Sequence, residues 1–73
     1  MDWSDCELVE VVPGKVSGVP LVVGTRIPAD FVVEDFEAGD SIEEIREAFP
    51  ALSEDTIGGL IHFAVLRRKA TVA

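Results

Sequence analysis

Tyrosine is absent, and cysteine, methionine, tryptophan and histidine occur once each. Lys and Arg number 6 against 14 Asp and Glu, for a net charge of −8 over 73 residues. Each shortage excludes something. The single Cys6 cannot make an internal disulfide and has no second thiol to share a metal, so it is expected to be a free thiol near a terminus. His62 has Leu66 where an i+4 ligand would stand, so no metal site is expected. No Ser/His/Asp or Cys/His arrangement and no phosphate loop occurs, which argues against an enzyme and against a cofactor. No apolar run approaches the roughly 18 residues that cross a bilayer. The start Met1-Asp2-Trp3 lacks the positive leader of a signal peptide, so a cytoplasmic protein with no membrane partner is expected.

What is present is periodic. Apolar residues make up 48% of the chain, enough with clear periodicity for a folded single domain over 1–73 rather than a disordered acidic segment. At this length the core gives only a narrow margin over conformational entropy, so help from a partner is plausible. The acidity is concentrated. Between Asp30 and Asp55 ten carboxylates face the lone Arg46, while Lys15, Arg26 and Arg67-Arg68-Lys69 lie outside that stretch. A nucleic-acid binder usually shows a basic face, and this chain offers only patches.

Residues 1–7 have no period and read as an arm, with Trp3 large enough to anchor it. Leu8–Val12 and Leu21–Val23 are short β-branched strands, separated by the turn-rich Pro13–Pro20. They can pair as a hairpin or with a second copy. Ile27-Pro28 opens a first helix whose inward residues are expected to be Phe31, Val32 and Phe36, and Gly39 stops it. Ser41 and Glu44 form a capping box for a second helix with Ile42, Ile45 and Phe49 on one face, ended by Pro50. Ser53 caps a third, with Glu54 and Asp55 in its positive first turn. Its apolar stripe is Ile57, Leu60, Ile61, Ala64 and Val65, and it is expected to run to about Arg68. The expected fold is mainly α: a β element over 8–27, then a three-helix part over 28–69 whose last two helices form a helix-turn-helix.

Val22-Val23-Gly24-Thr25-Arg26-Ile27-Pro28, Ala38-Gly39-Asp40-Ser41-Ile42-Glu43-Glu44-Ile45, Phe49-Pro50-Ala51-Leu52-Ser53 and Phe63-Ala64 carry a resemblance to the domain of unknown function 433 family, over roughly residues 8–66. The resemblance implies a homeodomain-like helix-turn-helix with an N-terminal β element. It also implies an antitoxin-like role in a bacterial toxin–antitoxin system, commonly beside a PIN-like nuclease toxin. Three basic positions common in the family are Val19, Val23 and Gly58 here, which removes three potential phosphate contacts.

Two sets of candidate residues follow. For DNA they are Arg26, Thr56, His62, Arg67, Arg68 and Lys69, since the exposed start of the last helix reads bases in such folds and cations track phosphates. Arg26 has a plainer reading, an intramolecular pair with a nearby carboxylate, and that pair is the expectation. The tail cations also suit a negative helix end. For a protein partner the candidates are Glu34, Glu37, Glu43 and Glu47, which would suit a basic surface, with Gly58 and Gly59, whose place inside a helix wants a close neighbour. That neighbour is either another backbone, of a partner helix or of DNA, or the neighbouring helix packed tightly against it. The partners expected are a nuclease toxin, the operator DNA, or a second copy as a homodimer. A dimeric transcription regulator without a toxin and a structural homodimer are the alternatives.

Overall fold

The computed structural model describes residues 3–14 and 18–72, with the backbone alone from 68 onward. Two strands, β1 (Val9–Glu10) and β2 (Leu21–Val22), precede three helices, α1 (Ala29–Glu37), α2 (Ile42–Ala48) and α3 (Glu54–Val72). The strands pair antiparallel within the chain, Val9 opposite Val22 and Glu10 opposite Leu21. Both are shorter than the apolar runs that announce them. β2 ends because Gly24, at φ +78°, takes a conformation open mainly to glycine and turns the chain. β2 is also tied on its other side. The Val22 amide donates to the Ile27 carbonyl at 2.9 Å, and the Ala29 amide donates to the Pro20 carbonyl at 3.0 Å.

Thr25 explains the Gly-Thr-Arg-Ile-Pro string. Its hydroxyl donates to the Val22 carbonyl at 2.8 Å and accepts from the Ile27 amide at 3.1 Å. One side chain thus closes the loop from strand to helix, and Pro28 enters α1 as its extended N-cap at ψ 129°. α1 ends at Gly39, φ +106°, where the Asp40 amide reaches back to the Asp35 carbonyl, the six-to-one bond of a Schellman ending. The capping box of α2 forms as expected, with Glu44 N–H on Ser41 Oγ at 3.1 Å and Ser41 N–H on Glu44 Oε1 at 3.0 Å.

The core joins both parts: Leu21, Val32, Ile45, Ile57 and Leu60 are its largest fully buried members, and α3 packs against both other helices. Three expectations are corrected. The inward residues of α1 are Ala29, Val32 and Val33, while Phe31 and Phe36 lie on the outside. Spacing of i, i+3, i+4 from Ala29 sets that face; Phe31 lies off it, while Phe36, at i+7, shares it in the last turn of α1 but borders the open groove beside α3 instead of entering the core. Val65 lies outside the buried stripe of α3, exposed at 40%. The helix itself continues to Val72, four residues beyond Arg68.

Candidate interaction surfaces

The acidic surface is assembled where α2 hands over to α3. Ser53 caps α3, accepting from the Thr56 amide at 3.1 Å and donating to the Thr56 hydroxyl at 3.0 Å. That cap sets the α3 start against α2, and a shallow groove of about 390 Å³ opens there, lined by Glu43, Arg46, Glu47, Pro50 and Glu54. Arg46 sits among the carboxylates and pairs with Glu54 at 3.5 Å. Both partners are exposed, so the pair is screened and weak. The other acidic candidates are not gathered here. Glu34 is exposed on α1. Glu37 borders a different groove of about 120 Å³ between α1 and α3, formed otherwise by Val33, Phe36, Ile61, Ala64 and Val65.

The DNA candidates are scattered by the fold. Arg26 is exposed at the turn before α1 and, among the described residues, pairs with no carboxylate. This corrects the expected intramolecular pair: Thr25, not an ion pair, holds the turn. Thr56 is half-buried and spends its hydroxyl in the cap, whereas His62 is exposed on α3. Arg67 is taken up by the N-terminal arm. It pairs with Asp5 and lies over the Phe63 ring with its guanidinium carbon 5.0 Å from the centroid. The side chains of Arg68 and Lys69 fall outside the described residues.

The two glycines part company. A Cβ at Gly59 would stand 2.6 Å from Leu8 Cδ1, so the segment just before β1, and not the expected neighbouring helix, fills the space beside it; at Gly58 nothing lies within 4 Å. Close internal packing therefore accounts for Gly59 alone.

The arm itself is the feature that its sequence left least specified. Trp3 is 4% exposed, stacks on Phe63 with centroids 5.4 Å apart, and donates its indole N–H to Asp30 at 2.8 Å. Asp30 thus does more than complement the start of α1. The one signal available was the size of Trp3 in an otherwise featureless segment. Cys6 is a free thiol, as expected, and it is buried with the arm.

Known proteins give the frame for these surfaces. The chain is 39% identical over 51 residues to a protein of Sinorhizobium fredii named uncharacterized protein y4eO, covering 70% of this chain and 23% of that protein. It therefore spans under a quarter of the length of that relative. A crystal structure of a DUF433 member from Anabaena variabilis superposes with a TM-score of 0.68 at 21% identity, covering 86% of this chain and 62% of the other. That likeness bears on the fold alone. No described helix is long and apolar enough to cross a membrane. The profile of the protein family of unknown function DUF433 matches residues 9–64, most of the chain and all of the strand-turn-helix strings built above, and the chain belongs to that family.

Proposed function

We propose that this chain is a small antitoxin-like interaction protein that binds a basic protein partner, a PIN-like nuclease of a bacterial toxin–antitoxin pair, and that it is not itself an enzyme. The observation that supports this reading is the groove at the α2–α3 junction. Glu43, Glu47 and Glu54 surround a single Arg46 whose charge is already matched by Glu54. A net negative, solvent-open concavity suits the cationic surface with which a nuclease holds RNA, and it would speed encounter at low salt. The toxin identity itself comes from the family resemblance.

The test is titration calorimetry against a purified PIN-like nuclease-domain protein from the same organism, at about 50 and 200 mM salt. Binding is expected to weaken at the higher salt and to be lost in the Glu43→Lys, Glu47→Lys double variant. Absence of binding at the lower salt would overturn the reading.

Operator DNA is the second reading, favoured by one observation: Arg26 is exposed and unpaired among the described residues. Fluorescence anisotropy with DNA from upstream of the gene at the same two salts tests it, since several phosphate contacts give a steep salt slope. A loss of affinity in Arg26→Ala and in Arg67→Ala, Arg68→Ala would support a regulator. Salt-insensitive or absent binding would dismiss it.

A further inference from the structure

We propose that residues 3–8 form a strap across α3 that lifts as one unit while the three-helix core stays folded. The strap lies along a single stripe of the helix. Gly59, Phe63 and Arg67 stand at i, i+4 and i+8, and so on one side of α3. Each is covered from the arm: Leu8 lies against Gly59, Trp3 stacks on Phe63, and Asp5 pairs with Arg67. Trp3 also crosses to α1 through its indole bond to Asp30 at 2.8 Å.

The backbone shows where the strap is hinged. Within it the Cys6 amide donates to the Trp3 carbonyl at 2.9 Å, and the Val9 amide donates to the Cys6 carbonyl at 3.2 Å. These linked turns make Cys6 and Trp3 move together. Among the described residues, the first backbone bond from the arm to the rest of the chain is at Leu8, whose carbonyl accepts from the Val23 amide at 2.9 Å. Ahead of that point Trp3 and Asp5 hold the arm to the helices through their side chains. A terminal segment tied in this way opens without breaking a helix or the β1–β2 pair.

Opening has a defined consequence. Trp3 is 4% exposed and Cys6 8%, so lifting the strap bares the single thiol of the chain and uncovers the Phe63 ring at the same time. This stripe of α3 is then open only to a partner that displaces Trp3, whereas the α2–α3 groove is open throughout. The strap is separate from the groove assigned to the nuclease and does not depend on that assignment.

The rate at which dithionitrobenzoate labels Cys6 in the full chain reads the opening, because a buried thiol reacts through the open state. Ile45→Val, in the buried core at α2, is expected to leave that rate unchanged although it lowers global stability. Trp3→Ala is expected to raise the rate at least about a hundredfold, the fold-change that a truncation of this size corresponds to, with helical circular dichroism retained. Asp5→Ala is expected to raise it only about twofold, as a screened pair allows. Should Trp3→Ala fail to fold, Trp3→Phe keeps a ring beside Phe63 and loses the bond to Asp30, and is expected to raise the rate about tenfold. The proposal is overturned if Ile45→Val speeds labelling by the factor by which it raises the unfolded population, since Cys6 is then reached only through global unfolding. Labelling that neither Trp3→Ala nor Trp3→Phe accelerates also overturns it, because Cys6 then opens without Trp3.

Discussion

The two ends of α3 are held in opposite ways. Its first turn is a local construction: Ser53 bonds a residue three positions on, and Glu54 and Asp55 sit where the helix end is positive. Its far half is held by distant residues. Trp3 stacks on Phe63, Asp5 pairs with Arg67, and the indole of Trp3 reaches across to Asp30 on α1. The local end leaves its charges in solvent, with Glu54 in no more than a screened pair with Arg46. The distant end uses its aromatic and cationic groups inside the chain, so Arg67 is committed to the arm where a helix-tail cation would ordinarily face phosphate or solvent.

The largest way to break this contrast is at Trp3. Trp3→Ala removes a buried side chain together with its stack and its indole hydrogen bond, and truncations of this kind cost about 3–5 kcal/mol. Urea denaturation followed by circular dichroism is expected to show a loss of that order, a large share of the stability of so small a domain. A loss below about 1 kcal/mol, the size of a typical surface change, would mean that the arm decorates α3 without holding it.

The same contrast separates what the residues announce from what they do not. Ser41 with Glu44, Ser53 before two acids, Gly39 after α1 and the Thr25 loop are short-range devices. Their partners lie within a few positions, so their chemistry is visible in order along the chain. The arm's partners lie 27 and 62 residues away, and a segment without a period carries no register by which to find them. The phase of α1 was ambiguous for another reason. Apolar residues at 29, 31, 32, 33 and 36 occupy more than one side of the helix, and only the packing of Ala29, Val32 and Val33 against the core decides that Phe31 turns outward and that Phe36, on the same face but in the last turn, stays partly exposed beside α3. The site followed the same rule. The carboxylates could be counted from the sequence, but the joining of Glu43, Glu47 and Glu54 and the departure of Glu37 to another face depend on helix packing.

Ser53→Ala is expected to have the next effect. It removes the acceptor for the Thr56 amide and leaves an unmatched donor at the start of α3, worth about 1 kcal/mol. Because that end is built locally, the Trp3 fluorescence of the folded variant is expected to stay unchanged. A shifted emission would show that the two ends communicate.

The glycines sharpen the comparison within the same half-helix. Alanine gains up to about 1 kcal/mol over glycine in a helix interior. Gly58→Ala meets open space and is expected to collect most of that gain. Gly59→Ala must displace Leu8 Cδ1, the mobile end of a leucine, from a 2.6 Å approach. Its gain is expected to be smaller than that of Gly58→Ala or reversed. Equal stabilisation of the two variants in thermal melts would mean that Leu8 yields freely and that the β element is loosely seated on α3.

Asp5→Ala carries the smallest effect and the most specific information. The Asp5 carboxylate is largely exposed, so its pair with Arg67 is screened by water and worth only a few tenths of a kcal/mol. Arg67 retains its place over Phe63 by cation–π attraction. Melting is therefore expected to move little, while the charge at the end of α3 rises by one unit. If the arm matters chiefly by neutralising Arg67, Asp5→Ala is expected to strengthen binding of upstream DNA at about 50 mM salt and to steepen its salt slope by roughly one contact. If stacking alone defines the arm, the slope is expected to stay as it is while Trp3→Ala still destabilises the fold. The two variants thus separate the arm's charge from its packing.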